Sequence, residues 1–328
     1  MKLSLVEILA CPNCSSNLEC HTEDSDSEGD VFTGQLKCLK CENTFPVIRG
    51  IPRFVPNEDY AGSFGFQWNQ FRREQLDSDT GAGLSRQRFT TETGWSPSDL
   101  IGMRVIEAGC GAGRFLEIVS ESDCMVVGVD ISDAVEAAAE TVRDRTNAHV
   151  IQASIFELPF KSEVFDMGYS IGVLQHTPDA QRAASILPRV VRSGGQVAIT
   201  VYERKPWTLL NGKYLIRPIT RRLKPELLLK LVKITMPLLF PITELLFRIP
   251  LLGRLFSFAI PICDYTKTPN LNFIQRYKSV VLDTFDMLSP AFDSPMTHAE
   301  LEEALVKGGI PQVRRLPSPG LNLIGEKL

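Results

Sequence analysis

Three glycines at alternate positions, with an acidic residue just before them, have the spacing of a ligand-binding loop. They lie in the stretch Glu107-Ala-Gly-Cys-Gly-Ala-Gly113, which follows a predicted strand at 103–108 and opens a helical pattern near 113–121. Such a turn presents backbone N–H groups and the positive end of the helix dipole to a ligand. The dinucleotide fingerprint would require a third glycine at position 114, where this chain has Arg114. Because Glu107 would repel a pyrophosphate, the loop favours a ligand that carries an ammonium group.

A second carboxylate stands at the end of the next predicted strand. Asp130 closes the strand at 125–130, where it can accept hydrogen bonds from the two hydroxyls of a ribose. The loop that follows the predicted strand at 164–170 begins at Gly172. The ends of these strands therefore predict a site for a ligand with both an amino group and a ribose.

His176 is the best candidate for a general base among the four histidines of the chain. A base is needed only when the reacting group carries a proton of high pKa. A histidine in this loop can also serve only to order the loop through a hydrogen bond, and that alternative stays open. Weaker candidates for the same role are Tyr169, Asp179, Tyr202, Asp283 and Asp293.

Two CxxC pairs near the amino terminus have the spacing of a metal site. Cys11 and Cys14 form the first pair, and Cys38 and Cys41 form the second. Two such knuckles about two dozen residues apart suit a tetrahedral zinc ion held by four thiolates. The alternatives are a redox pair or buried thiols. Cys20 and His21 lie nearby but do not fit the pattern.

The elements that must position these residues alternate between strand and helix. Short apolar segments are separated by helical patterns near 133–145 and 180–192, and such alternation builds a parallel sheet with right-handed crossovers. Thr297 and Glu300 predict a capping box on a later helix that ends at Gly308-Gly309. The predicted strands are 103–108, 125–130, 148–153, 164–170 and 196–202, with a Gly194-Gly195 turn leading into the last of these, and two more near 312–317 and 322–327.

The composition is that of an ordinary globular protein of 328 residues, enough for one large domain with additions. A net charge of -4 gives no general attraction to nucleic acid. The chain lacks a run of about 18 apolar uncharged residues and the features of a secretory signal, so a cytoplasmic location is expected. The eight cysteines are then expected to bind metal or to be buried, and not to form disulfides.

The order of the motifs resembles that of the class I S-adenosylmethionine-dependent methyltransferases. The resemblance covers roughly 101–203 and, more loosely, 283–328. It implies an α/β fold, a doubly wound Rossmann-like sheet of seven strands with the last strand antiparallel. The matching residues are Glu107 to Gly113, Asp130, Leu158-Pro-Phe160, Phe165-Asp166, Gly172 to His176 and Gly194-Gly195.

The same resemblance implies how S-adenosylmethionine would bind. It places Glu107 and the glycine loop around the methionine moiety, Asp130 on the ribose, residues 153–155 beside the adenine and His176 at the acceptor pocket. Many relatives have Gly-Asp where this chain has Ala153-Ser154, so the hydroxyl of Ser154 or the backbone of Ile155 is expected to contact the adenine. The implied cofactor-binding residues are Glu107, Gly109, Cys110, Gly111, Gly113, Asp130, Ile131, Ser154, Ile155 and Gly172.

The first 56 residues resemble a small zinc-ribbon family, some members of which activate tRNA and release-factor methyltransferases as separate subunits. The matching residues are Ile8 to Cys14, Cys38, Cys41 and Phe45-Pro-Val-Ile-Arg-Gly-Ile-Pro52. Some ribbon-bearing methyltransferases modify ribosomal RNA. Here an acidic run at 23–30 disfavours contact with a phosphate backbone. We therefore expect a structural or activating role, with zinc bound.

The sequence divides into five predicted segments, and the second and fourth of them flank the cofactor-binding core. The second, 57–100, contains aromatic residues near helical spacing and either packs on the sheet or forms a lid that brings Arg86 or Arg88 to the methionine carboxylate. The segments are a zinc ribbon at 1–56, a helical linker or lid at 57–100, the cofactor-binding core at 101–203, a helical cap insertion at 204–282, and a carboxyl-terminal helix with strands at 283–328.

The insertion at 204–282 is basic in its first part and apolar in its second. Nine Lys and Arg residues stand against one acid between 204 and 233, and a kinked apolar stretch follows. This composition suits either an interfacial cap that rests on anionic lipid through 204–262 or an ordinary helical cap over the site. We expect a methyltransferase acting on a small-molecule or lipid-linked metabolite. The alternatives are an RNA methyltransferase guided by the ribbon and a cofactor-binding regulator without turnover.

Overall fold

The computed structural model describes residues 1–55 and 60–328. The predicted boundary between the ribbon and the linker, at 56–57, lies outside the described residues. Among the described helices, none combines the length and hydropathy needed to cross a membrane.

The amino-terminal segment forms an antiparallel sheet of four strands in the order β1-β2-β3-β4. The alternation of β2 buries Gly34, Leu36 and Cys38 on one face, and the predicted acidic run forms the tip of the β1–β2 hairpin. The bounds are a 3-10 helix at Leu3–Ile8, β1 at Leu18–Ser25, β2 at Val31–Cys38, β3 at Thr44–Ile48 and β4 at Ile51–Pro52.

A seven-stranded sheet forms the centre of the molecule, in the order β10-β11-β9-β8-β5-β6-β7. Neighbours from β9 to β7 pair in parallel, whereas β11 is antiparallel to both β9 and β10. The predicted Rossmann-like methyltransferase sheet with an antiparallel last strand is therefore confirmed. The bounds are β5 at Arg104–Ala108, β6 at Met125–Asp130, β7 at Ala148–Gln152, β8 at Phe165–Ile171, β9 at Val191–Val201, β10 at Val313–Arg315 and β11 at Leu321–Glu326.

Helices cover both faces of this sheet, which is why its central strands are mostly apolar. Val105, Ile106 and Val127 are fully buried. The predicted capping box is present: the Thr297 hydroxyl accepts from the Glu300 N–H, and the Glu300 carboxylate accepts from the Thr297 N–H. The bounds are α4 at Arg114–Val119, α5 at Ala134–Thr141, α6 at Ala180–Val190 and α11 at His298–Lys307, with a 3-10 turn at Leu174–His176.

The predicted Gly194-Gly195 turn lies inside the fifth parallel strand, because β9 begins earlier than predicted, at Val191. The pairing of β8 with β9 shifts register between Phe165 and Met167 and resumes at Gln196, directly after the two glycines. Gly194 has φ +74, so the chain bends at this pair.

Most of the remaining helices lie over the carboxyl ends of the parallel strands, whereas the helix at Leu84–Thr93 packs its Phe89 on Tyr169 of β8. The apolar inner face of α8 packs on α10 and on Phe71 of the linker. Helix α10 runs across the predicted boundary at 282–283, so the cap and the last segment share one helix. The bounds are α1 at Gly62–Gln70, α2 at Asp77–Thr80, α3 at Leu84–Thr93, α7 at Gly212–Thr220, α8 at Pro225–Leu246, α9 at Leu252–Ala259 and α10 at Phe273–Leu288, with 3-10 turns at Pro97–Leu100 and Thr208–Leu210.

Candidate functional site

A cavity of about 530 Å³ lies at the carboxyl ends of the parallel strands. Its size falls in the range of about 300–1,000 Å³ that is usual for small-molecule sites. The sheet edge forms its floor, α1 and α3 form one wall, and the cap closes the other side. In an open parallel sheet this edge is where ligands bind.

Most of the predicted cofactor-binding residues meet in this cavity, but two do not. Gly113 lies outside its lining and packs against Ala138 of α5. Ser154 also lies outside it, and its hydroxyl accepts from the Phe156 N–H at 3.2 Å, which stabilises the local turn. The predicted residues that line the cavity are Glu107, Gly109, Cys110, Gly111, Asp130, Ile131, Ile155 and Gly172.

The carboxylate of Asp130 is fixed before any ligand arrives. One oxygen accepts from the Gly111 N–H at 3.0 Å, and the other accepts from the N–H and the hydroxyl of Ser132 at 2.9 and 2.7 Å. Burial raises the pKa of Asp130, and these hydrogen bonds oppose that rise. The carboxylate therefore faces the cavity in one orientation.

Glu107 is almost fully buried at the end of β5. The hydroxyl of Tyr169 donates to it at 3.0 Å. Burial raises the pKa of Glu107 well above its usual value, and the Tyr169 hydrogen bond and the Arg114 charge offset only part of that rise. A cation at this point of the cavity would stabilise the ionised carboxylate.

Helix α1 lies directly over the glycine loop. The indole of Trp68 packs on Gly111, so closely that a Cβ there would lie 3.0 Å from the indole nitrogen. Gly111 also has φ +50, a conformation that favours glycine. Phe64 of the same helix lines the cavity and lies 5.2 Å, centroid to centroid, from the ring of His176.

Two guanidinium groups line the cavity beside the glycine loop. Arg114, the residue that departs from the dinucleotide fingerprint, donates to the Ser85 hydroxyl at 2.8 Å and to the Gln75 side chain at 2.9 Å. Arg88 pairs with Glu92 at 3.0 Å. Burial lowers the pKa of Arg114 to about 10, and the nearby charge of Arg88 contributes to that shift.

Of the two arginines that the linker was expected to bring to the site, the structure brings only Arg88. Arg86 pairs with Glu121 and lies outside the cavity lining.

The cap contributes two carboxylates to the same cavity, Asp283 and Asp286 of α10. Asp283 accepts from the Tyr265 hydroxyl and from Gln75 at 3.0 Å, and Asp286 accepts from Gln67 at 2.9 Å. Burial, with the charge of Asp286, raises the pKa of Asp283 to about 6.

Asp286 and the role of Arg114 were missed at the sequence level. The available signal was the pair of acids three positions apart in the otherwise apolar Val280-Val-Leu-Asp-Thr-Phe-Asp-Met-Leu288, which places both on one helical face. For Arg114, the signal was its place as the first residue of α4, directly after the glycine loop.

His176 also lines the cavity, between Phe64 and Tyr202. Its Nδ1 lies 3.0 Å from the carbonyl oxygen of Phe292. Because a carbonyl only accepts, Nδ1 carries the proton and Nε2 keeps its lone pair. Burial lowers the pKa of His176 to about 4, so the imidazole is neutral near pH 7.

Of the five weaker candidates for a general base, two line the cavity and three do not. Tyr202 and Asp283 line the cavity. Asp179 instead caps α6, and Asp293 forms an ion pair with Lys213 at 2.7 Å. Tyr169 is buried beneath Glu107.

The four predicted cysteine ligands converge at one end of the ribbon, with all their sulfur atoms within 4.8 Å of one another. The separations are 3.6 Å for Cys11–Cys41, 3.4 Å for Cys14–Cys38 and 3.5 Å for Cys14–Cys41. Thiolates around a tetrahedral zinc ion stand about 3.8 Å apart, as Zn–S bonds of about 2.3 Å require. Backbone N–H groups of Cys41 and Lys40 lower the pKa of Cys38, whereas burial raises that of Cys11, so the fit to zinc rests on the convergence of the four sulfur atoms. The donor set therefore fits zinc.

The ribbon brackets the loop that was predicted to lie beside the adenine. Before that loop, the Phe54 N–H donates to the Gln152 carbonyl at 2.8 Å. After it, the Ala10 N–H donates to the Pro159 carbonyl at 2.9 Å, and Leu9 bridges to Phe160. Apolar ribbon residues such as Leu9 and core residues such as Ile155 belong to one buried cluster.

The central part of the chain agrees with a known family. Residues 106–199 match a protein-family model described as a methyltransferase domain. This match lies within the predicted cofactor-binding core, 101–203. It supports the prediction of a class I S-adenosylmethionine-dependent methyltransferase domain there.

Curated proteins also match part of the chain. A malonyl-[acyl-carrier protein] O-methyltransferase of Enterobacter lignolyticus is 34% identical over 172 residues, 48% of this chain and 62% of that protein. A ubiquinone biosynthesis O-methyltransferase of Pseudomonas fluorescens is 26% identical over 133 residues, 38% of this chain and 56% of that protein. The chain thus spans little more than half the length of these relatives.

A solved structure resembles more of the chain at low identity. It is a complex between the Trm112 methyltransferase activator and a methyltransferase from Haloferax volcanii. The TM-score is 0.44 at 13% identity, covering 83% of this chain and 98% of that one.

Proposed function

We propose that this protein is an S-adenosylmethionine-dependent methyltransferase whose acceptor is a hydroxyl group of a small-molecule or lipid-linked metabolite. The observation that carries the proposal is the single cavity in which the glycine loop, Asp130 and the neutral His176 meet. The names of these two relatives, which describe O-methyltransferases, support an oxygen acceptor.

The residues that line the cavity fit S-adenosylmethionine. Asp130, held by Gly111 and Ser132, is placed to accept from the ribose hydroxyls. Ile131 and Ile155 offer apolar contact for the adenine, while Gly109, Cys110 and Gly172 allow close approach of the backbone.

The methionine end requires groups of both signs. We assign its carboxylate to Arg88 and Arg114, and its ammonium to Glu107 and Asp283, because all four side chains line the cavity near the glycine loop. Buried carboxylates whose pKa is raised by desolvation gain most from a cationic ligand.

The chemistry then depends on positioning and on one proton. S-adenosylmethionine, when bound, would supply a methyl group on a sulfonium, whose S–CH3 bond would break as the bond to the acceptor oxygen forms. The cavity walls hold the acceptor oxygen in line, which is the main contribution of such a site. The Nε2 lone pair of His176 accepts the hydroxyl proton, and the Phe292 carbonyl steadies the resulting imidazolium through Nδ1–H.

A zinc ion held by Cys11, Cys14, Cys38 and Cys41 belongs to the same proposal, in a structural role. The ribbon lies against the loop at 153–161, and none of its described residues, 1–55, lines the cavity. It therefore supports the site without reaching the reacting atoms.

The test uses the full-length protein, methyl-labelled S-adenosylmethionine and a cell extract, followed by partition of the label. We expect label in the organic or small-molecule fraction. In the His176→Gln variant the side-chain amide can still donate to the Phe292 carbonyl. Its rate of label transfer should fall by about a hundredfold or more, while its cofactor affinity stays unchanged.

Other results would contradict the proposal. Label in RNA would favour an RNA methyltransferase guided by the ribbon. Bound cofactor without transfer to any fraction would favour a regulator. Unchanged turnover in His176→Gln would remove the base assignment alone.

A further inference from the structure

The outer face of α8 is apolar although it faces solvent. Its inner face, which includes Leu228, Val232 and Met236, packs into the core of the cap. Its outer face carries apolar side chains that are 44 to 73% exposed. We call this outer set the α8 stripe: Leu227, Leu231, Ile234, Leu238, Ile242 and Leu245.

The α8 stripe is continuous along the helix. Its members follow one another at intervals of three or four residues, so they share one side, opposite the buried face. From Leu227 to Leu245 this side extends for about 27 Å at 1.5 Å per residue. A water-facing helix normally carries polar residues on that side.

The neighbouring cap helices expose apolar residues as well. Gly253 of α9 lies against the backbone of Phe247, directly after α8, and Gly212 of α7 lies against Ala259 of α9. Leu215 of α7 and Leu255 of α9 are 73% and 59% exposed. The exposed apolar surface therefore spans adjacent helices.

Basic side chains flank the start of the α8 stripe. Arg221, Arg222, Lys224 and Lys230 are exposed, and none forms an ion pair within the described residues. By contrast, Lys213 turns inward to an ion pair with Asp293. The charges that remain outside are thus mainly positive and without partners on the protein.

The same surface adjoins the mouth of the cavity. Trp207 lines the cavity and is 55% exposed. Phe258 of α9 lines it from inside, while Leu252 and Leu255 of the same helix face solvent. One short helix therefore separates the cavity from the exposed apolar surface.

We infer that the cap docks on an anionic lipid bilayer, with α8 lying flat at the interface. An apolar face flanked by unpaired cations matches acyl chains beneath anionic headgroups. Charge complementarity decides for lipid over a second copy, because a symmetric dimer on this face would bring the same unpaired cations of both copies together, whereas anionic headgroups would neutralise them. The consequence, that an amphiphilic acceptor enters past Trp207, rests on the proposed function; the docking itself does not.

The test is co-sedimentation of the full chain with vesicles. We expect binding to equal parts of phosphatidylcholine and phosphatidylglycerol at low salt, and much weaker binding to phosphatidylcholine alone. The combined variant Leu231→Gln, Ile234→Gln, Leu238→Gln should bind about a hundredfold more weakly. Reversal of two charges, Arg222→Glu with Lys230→Glu, should cost about tenfold or more on anionic vesicles only.

The matched control substitutes equally exposed apolar residues away from the cap, Ile48→Gln, Ile101→Gln and Val306→Gln, and should bind as the unaltered protein does. Cofactor affinity, measured separately, should not change in any of these variants, which distinguishes failed docking from failed catalysis. Absence of binding to anionic vesicles would overturn the inference. A second contradicting result is also possible. If the stripe variant binds vesicles as the unaltered protein does but has a lower sedimentation coefficient when vesicles are absent, the partner of the α8 stripe is a second copy of the chain.

Discussion

At the scale of single residues, the cavity contains several buried carboxylates. Keeping them ionised costs free energy when no ligand is bound. Burial raises the pKa of Glu107, Asp130 and Asp283 alike. Arg88 and Arg114 offset part of this cost for Asp283, because both charges lower its pKa. A ligand with a positive group would complete the compensation, so cofactor affinity should depend on pH through these acids.

Asp283 gives the clearest pH dependence, since its pKa of about 6 lies above the usual value for an aspartate. A raised pKa means that the carboxylate is protonated, and loses its attraction for an ammonium group, as pH falls through about 6. Affinity for S-adenosylmethionine, measured by calorimetry between pH 5 and 8, should therefore fall on the acid side of about pH 6. Asp283→Asn should bind weakly throughout and lose this inflection.

A neighbouring substitution provides the control for that assignment. The charge of Asp286 raises the pKa of Asp283, so Asp286→Asn should move the inflection to lower pH and keep it. An inflection that stays near pH 6 in Asp283→Asn would show that another group controls binding.

At the scale of elements, the cap is attached to the core by a buried ion pair. Lys213 of α7 pairs with Asp293 at 2.7 Å, with side-chain exposures of 13% and 1%, and Arg217 adds hydrogen bonds to the carbonyls of Met287 and Pro290. These contacts connect α7 to the segment that follows α10. They also place the Phe292 carbonyl at His176.

Removal of one partner should loosen the cap specifically. Lys213→Met leaves Asp293 buried with the Arg217 guanidinium at 3.8 Å and the Tyr214 hydroxyl at 3.2 Å, so the cost should lie below the roughly 3–5 kcal/mol of a buried charge with no partner. We expect faster hydrogen exchange across α7 and α9, with unchanged protection in β5 and β6. The control Lys205→Met removes an exposed lysine that pairs with Glu203 and should leave exchange unchanged. Loss of protection throughout the sheet would contradict a local role.

The elements also show which parts of the site local sequence encodes. The glycine loop and Asp130 could be predicted because a strand, a turn and a helix are set by neighbouring residues. Asp286 could not be placed, because it reaches the cavity only after the insertion folds back over the sheet. Gly113 was assigned from the spacing of the three glycines and Ser154 from the resemblance, and here the contacts of both are with the protein itself.

At the scale of the whole molecule, the ribbon and the sheet share one apolar cluster. The sequence predicts the ribbon and the sheet as two separate segments, because each has its own strand pattern and its own set of candidate ligand-binding residues. The pairing of Arg53 with Gln152, which joins the ribbon to the edge strand β7, joins residues about a hundred positions apart and has no local signal. Folding of the ribbon and order in the loop at 153–161 are therefore expected to be coupled.

Metal removal tests that coupling directly. A structural zinc site contributes to folding itself, so a chelator should release zinc, lower the melting temperature and weaken S-adenosylmethionine binding. Cys41→Ser, which removes an exposed ligand, should act in the same way, whereas Cys20→Ser in the same ribbon sheet should not. Zinc content, thermal unfolding and calorimetry on the same samples provide the three readouts. Full cofactor affinity in a zinc-free protein with an unfolded ribbon would contradict this coupling. The hydrogen bonds from the ribbon to the carbonyls of Gln152 and Pro159 would then not be needed to order the adenine side of the cavity, and the ribbon would serve another purpose.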